Sequence, residues 1–339
     1  MERIKCAVIG TGIFGEIHCH TYTEYGRAEL AKICDLNEER AKYIAEKYQT
    51  SYTLDYREIA EDKEISIVSV ATPDYAHKDI VIEMLKSGKN VLVEKPMATK
   101  VEDAEEMVEA ARKSGKILMI DFHNRFNPLF TLTKEKVENG EFGEIMMIYT
   151  RLSDKISVPV EWFNWSSKSG PHWFLFPHIV DLVCWFMEKL PLKVYGKATR
   201  KVLKEKGVDT YDVVSAILDF GSSYAVVETS WIIPENWPNL VEFAFNLQGS
   251  KGMVSINPAE KDFFIMGSDE KKYIDSPFYH GYTSVYNHTY GFAPLPIKYF
   301  VDCVYEGKQP FIKPEDGLNN VKIIASIMKS VEEGREIEI

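Results

Sequence analysis

A lysine that follows a short buried-looking strand and precedes a proline is placed for chemistry. Val91-Leu92-Val93-Glu94 runs into Lys95-Pro96 in this way. Open parallel sheets bind ligands at the carboxyl ends of their strands, so an amine held there on a proline-stiffened turn is a candidate for contact with a reacting oxygen. The tripeptide describes a lysine snorkelling from a sheet edge equally well. A second chemical stretch is Gly170 to Asp181. If a helix begins at Pro177, a favoured first position, His178 and Asp181 lie three apart on one face. A carboxylate beside an imidazole orients it and raises its pKa, which suits a general acid-base pair. A first-turn histidine with a solvent-bonded aspartate is the alternative. The pair shows no third ligand, and the adjacent residues of His18-Cys19-His20 would point apart on a helix, so no metal is expected.

The stretch with the most specific spacing comes first in the chain. Ile4 to Ile9 is an apolar run that breaks into Gly10-Thr11-Gly12-Ile13-Phe14-Gly15. Gly10 permits the tight turn, Gly12 lets backbone approach a pyrophosphate, and Gly15 allows close packing of helix on strand. The amides of Ile13 and Phe14 open the helix and face the phosphates. A second apolar run, Leu30 to Cys34, ends at Asp35, twenty residues past Gly15. An acid there accepts hydrogen bonds from ribose hydroxyls and repels a 2'-phosphate, which favours NAD over NADP. The competing role for Asp35 is N-cap of a helix over residues 37–48.

The elements that must position these groups follow from periodicity. Ile65 to Ala71 is a β-branched run expected of a strand buried on both faces, ending at Thr72-Pro73 and leading to a helix through Leu85. His77, in that connection, either closes over a cofactor or is an ordinary first-turn residue. Val101, Ala104, Met107, Val108 and Ala111 share a helical face, and Ile117 to Ile120 is another strand. Repeated strand-helix units of this spacing predict a doubly wound parallel sheet over residues 1–122. After Asp121 the character changes at the aromatic junction Phe122 to Pro128, where Arg125 either braces a loop or is a surface charge. Residues 123–339 then read as an α+β domain. A helix over Leu129 to Val137 is followed by a large, mainly antiparallel open sheet that includes Val213 to Leu218, Tyr224 to Trp231 and the alternating Val241, Phe243, Phe245 and Leu247. Two amphipathic helices close the chain. An open sheet face rich in Phe and Tyr predicts a homodimer or homotetramer.

Composition sets the outer bounds. The chain has 339 residues, 45% hydrophobic and 27% charged, ample for two cores. A net charge of -11, with no basic tract beyond Lys197 to Lys206, argues against nucleic acid as a partner. No apolar run is long enough for a bilayer, and a strand starting at Ile4 leaves no room for a signal sequence, so a cytoplasmic protein is expected. The five cysteines are odd in number and widely spaced, without a CxxC pair, and predict no disulfide framework.

Taken in order, the GxGxxG turn, Asp35, Thr72-Pro73 with His77, Glu94-Lys95-Pro96, Asn124-Arg125-Phe126 and His178-x-x-Asp181 resemble the Gfo/Idh/MocA family of sugar and polyol oxidoreductases, over nearly the whole chain. The resemblance implies a Rossmann domain carrying NAD and a second domain that supports the substrate. It implies that Lys95 is the catalytic lysine, that His178 exchanges the substrate proton, and that Asp181 binds substrate hydroxyls. Thr72, His77, Glu94 and Lys95 join the cofactor set near the nicotinamide, and Asn124 and His172 join the substrate set. One departure stands out. Phe174 occupies a position where many members carry a catalytic Asp, and Phe176 a position usually glycine, so a more apolar pocket is expected. The implied activity is an NAD-dependent dehydrogenase or reductase of a sugar, polyol or cyclic hydroxyl compound, in which a partly buried Lys95 beside an oxidised nicotinamide has a lowered pKa. The alternatives are a redox-neutral NAD-dependent glycosidase and a non-catalytic NAD-binding regulator; intact Lys95 and His178 argue against the regulator.

Overall fold

The computed structural model describes residues 3–257, 263–267, 271–274, 281, 283–285 and 288–339. In the first compact unit, Met1–Phe126 with His280–Leu318, strands and helices alternate. They are β1 (Ile4–Ile9), α1 (Ile13–Glu24), β2 (Ala28–Cys34), α2 (Glu38–Tyr48), β3 (Ser51–Thr53), α3 (Arg57–Glu61), β4 (Ile67–Val70), α4 (His77–Lys86), β5 (Asn90–Glu94), α5 (Val101–Ser114) and β6 (Leu118–Asp121). The six strands pair in parallel in the order β3-β2-β1-β4-β5-β6. Order reverses at β1, so the β1 and β4 strand ends form the crevice where such sheets bind ligands. β4 and β6 are buried at every residue, as strands covered on both faces must be.

The second unit, Asn127–Tyr279 with Asn319–Ile339, is built on one large sheet. The chain runs through α6 (Pro128–Glu138), β7 (Ile145–Lys155), α7 (Pro171–Phe174), α8 (Phe176–Met187), β8 (Lys193–Thr199), α9 (Val202–Glu205), β9 (Val213–Asp219), β10 (Tyr224–Ile233), β11 (Val241–Gly249), β12 (Gly252–Ile256), β13 (Phe263–Gly267) and β14 (Lys271–Ile274). After a small hairpin of β15 (Thr283–Val285) and β16 (His288–Tyr290) come α10 (Pro294–Glu306), α11 (Pro314–Glu333) and β17 (Ile337–Glu338). Among the described residues nine strands pair in the order β14-β13-β12-β11-β7-β10-β9-β8-β17, all antiparallel except β7 with β10. Alternation drives the burial: Ala225, Val227 and Trp231 of β10 point inward with Phe243, Phe245 and Leu247 of β11, and the apolar side of α8 packs on β7 and β10. Polar residues and a few large apolar ones occupy the other face.

The compact units are drawn differently from the division at 122/123 read in the sequence. The first extends to Phe126 and regains residues 280–318. The cause is α10, which packs on α1, β5 and β6, and whose Asp302 accepts hydrogen bonds from Tyr25 Oη (2.6 Å) and Arg27 Nη1 (2.7 Å). No helix among the described residues is long and apolar enough to cross a membrane.

Candidate active site

The glycine turn has a geometry that side chains would destroy. Gly10 sits at φ +85°, and a Cβ there would lie 2.6 Å from the Ala71 carbonyl oxygen; one on Gly15 would lie 1.9 Å from the Gly10 carbonyl oxygen. Gly12 is different, because a Cβ there would enter open space. That space lies in front of the first turn of α1, which no side chain caps, so its amides are presented to an incoming anion. Asp35 is tied to this turn: Oδ2 accepts from Thr11 N (2.9 Å) and Thr11 Oγ1 (2.8 Å), and Oδ1 from Asn37 N (2.9 Å). Asn37, which accepts from Arg40 N, is the N-cap of α2, so Asp35 is free of that duty. Arg40, overlooked in the sequence, donates to the Thr11 carbonyl and pairs with Glu16 at 3.6 Å.

Just past the end of β4, Thr72 Oγ1 is buried without a partner. An orphaned hydroxyl beside the glycine cradle fits a bound dinucleotide. His77 does not point at the cradle. Its Nδ1 lies 2.8 Å from the Pro96 carbonyl and its Nε2 2.9 Å from the Thr72 carbonyl, so the ring ties the β4 loop to the Lys95-Pro96 turn, whose peptide bond is cis. Lys95 is buried, with Nζ 5.8 Å from the Phe14 ring centroid. Phe14 stacks on His123 (6.0 Å, 9°), and burial pushes the His123 pKa down to about 4. Asn124 is buried in the turn after β6. Arg125 is a brace rather than a surface charge: it is buried over Phe122 and pairs with Asp316 at 3.3 Å.

The sequence reading did not foresee what lies behind Lys95. His18 is separated in role from Cys19 and His20 and meets two acids instead: Nε2 is 3.1 Å from Glu94 Oε1 and 3.6 Å from Asp121 Oδ2. Its Nδ1 is 2.8 Å from Ser69 Oγ, which in turn is 2.5 Å from Tyr22 Oη. The signal was present, since β5 and β6 both end in an acid and pair Glu94 with Asp121 in register.

In the second unit, His172, His178 and Asp181 are all buried on α7 and α8, whose first turn is anchored by Asn320 Nδ2 donating to the Pro177 carbonyl (3.0 Å). The ring of His172 lies against Trp173 and edge-on to Tyr211, and burial lowers its pKa to about 3, so it is neutral at pH 7. Phe174 packs against Phe163, Trp165 and Trp231. The surroundings of Phe174 are therefore aromatic rings.

A glycine turn, an acid following the second strand and a buried strand-end lysine on a doubly wound sheet define a dinucleotide-dependent oxidoreductase. The chain belongs to the Gfo/Idh/MocA oxidoreductase family: residues 4–122 match its NAD-binding Rossmann-fold model and residues 134–339 its C-terminal alpha/beta-domain model. Among curated relatives, a myo-inositol 2-dehydrogenase of Thermotoga maritima is 26% identical over 99% of this chain and 98% of its own length. A 2,7-anhydro-N-acetylneuraminate hydratase of Mediterraneibacter gnavus is 26% identical over 83% of this chain and 77% of its own. Levoglucosan dehydrogenase, solved with NADH and levoglucosan, shares the fold with a TM-score of 0.88 at 20% identity, over 100% of both chains.

Proposed function

We propose that this protein is an NAD-dependent dehydrogenase or reductase that moves a hydride between nicotinamide and a carbinol carbon of a sugar, polyol or related cyclic hydroxyl compound. The observation that carries the reading is Lys95, buried at the β5 end in the unit that also holds the glycine cradle and the orphaned Thr72 hydroxyl. Gly10, Gly12, the Ile13 and Phe14 amides, Asp35 and Thr72 hold the dinucleotide, which when bound supplies or accepts the hydride. His77 acts by tying the Thr72 loop to the Lys95-Pro96 turn. Lys95 hydrogen-bonds the reacting oxygen, and a charge on its amine is balanced by Glu94. His178 exchanges the hydroxyl proton; Asp181 and Asn124 bind neighbouring hydroxyls. His172, neutral and packed on aromatic rings, orients substrate by a hydrogen bond rather than by charge. The test is NADH formation from NAD with a panel of aldoses, inositols, polyols and sugar acids, NADP run beside it. A signal with NAD supports the reading, while a preference for NADP contradicts the role given to Asp35.

A redox-neutral reaction is the second reading, favoured by the hydratase among the relatives and by the aromatic Phe174. In that case product forms with no net NADH. We further propose a homodimer or homotetramer, supported by exposed Tyr195, Ile217, Tyr224 and Met253 on the outer face of the large sheet. A monomer by light scattering contradicts it. Five cysteines, none of them in a disulfide, support action in a reducing cytoplasm.

A further inference from the structure

Two carboxyl groups end adjacent parallel strands behind Lys95, and both are almost wholly buried. One donor atom each from His18, Glu94 and Asp121 can be chosen so that all lie within 4.8 Å of one another. Two carboxylates in such a space repel strongly unless one is protonated. Hydrogen-bond order decides which. Tyr22 Oη can donate to Ser69 Oγ, Ser69 Oγ to His18 Nδ1, and His18 Nε2–H then faces Glu94 Oε1, the nearer acid. Asp121 is left with Nε2 at 3.6 Å from one oxygen, while its Oδ1 is buried with no partner. An ionised carboxylate with a bare buried oxygen costs much more than the neutral acid.

We infer that Glu94 and Asp121 hold one proton between them, resting on Asp121, so that a single negative charge stands behind Lys95. Asp121 is thus a positioning residue: it lets a second strand end approach Glu94 without doubling the charge that the lysine feels. Burial and the Glu94 charge hold the Asp121 carboxyl well above the usual carboxylate range. Burial also works against the charge on Glu94, but the His18 hydrogen bond, with His18, Lys95 and His123 nearby, brings its pKa below the ordinary value. Tyr22 on α1 also faces Asp121, and Cys19 on α1 and Cys6 on β1 lie near Tyr22. His77 on α4 is engaged with the Pro96 carbonyl, and the α10 acids Asp302 and Glu306 pair with Arg27.

The role for Lys95 rests on the proposed function, so the first test is independent of turnover. Infrared spectra of the full chain at pH 7, without cofactor or substrate, should show a protonated-carboxyl band that moves on carbon-13 labelling of aspartate and is lost in Asp121→Asn. No label-sensitive band in the wild type overturns the inference even if the variant fails to fold, and so does stoichiometric divalent metal in the purified protein. The second test is the pH dependence of kcat/KM for the oxidation. Glu94→Gln should move the acidic limb down by about one pH unit, the scale of losing one adjacent opposite charge. Asp121→Asn should leave the limb in place; a shift as large as that of Glu94→Gln overturns the inference. If instead Lys95→Met keeps turnover and the limb, the function assigned to Lys95 fails while the infrared result stands.

Discussion

At the strand ends of the first unit, ionisable side chains sit in a run of hydrogen bonds from Tyr22 through Ser69 and His18 to Glu94. At the α7–α8 corner of the second unit, His172 is enclosed by Trp173 and Tyr211, and Phe174 by three further aromatic rings. The first region fixes where charge may reside, because each donor there answers an acceptor. The second surrounds a neutral His172 and Phe174 with aromatic rings and offers shape. Such a division suits a reaction in which hydride and proton movement need preorganised electrostatics, while choice among hydroxyl compounds rests on contact surfaces.

The largest expected effect would break the comparison at the charged end. Lys95→Met should lower turnover by about 10²–10⁴-fold, the range for a positioned proton-transfer group, with NADH binding retained in a fluorescence titration. Retained turnover would remove the charged region from the chemistry. Next, Asp35→Ser removes a carboxylate that holds Thr11 by two hydrogen bonds, and kcat/KM with NAD should fall by about 10–100-fold while NADP gains relative to it. An unchanged NAD to NADP ratio would show that Asp35 only supports the turn. In the aromatic region, Phe174→Ala should cost about 2 kcal/mol in urea unfolding, below the full value for a buried Phe because the ring is partly exposed.

An effect of similar size concerns pH. The pKa of His172 falls from 6.5 to about 3 on folding, so the unfolded chain takes up the proton first as pH drops. The stability it contributes is complete above pH 6.5 and is lost between there and about pH 3. Between pH 7 and pH 5 the loss is about 2 kcal/mol, and His172→Phe should remove that part of the slope in thermal melts. A slope unchanged by the substitution would mean that the aromatic enclosure does not govern protonation there.

Much of the dinucleotide half was legible because it is local. Gly10, Gly12 and Gly15 act within one turn, and Asp35 follows from counting along a strand-helix-strand unit. His77 was placed in the correct connection, but its partners, the Thr72 and Pro96 carbonyls, are brought to it by strand pairing. Asp121 escaped notice because its meaning depends on register with Glu94 and on a histidine contributed by α1. Likewise, Phe174 could be flagged as apolar, but not that Phe163, Trp165 and Trp231, from separate segments, would surround it.

The sequence by itself determined the alternation that makes a parallel sheet, the glycine turn and its acid, and the lysine at a strand end. These depend on periodicity and on backbone conformations that few residues can adopt. The tertiary structure decided the partners of each charge: Asp35 with Thr11, Arg125 with Asp316, and His18 with Glu94 and Asp121. Protonation states follow from those partners and from burial, which are properties of neighbours distant in the chain, and spacing along one strand or helix carries no record of them.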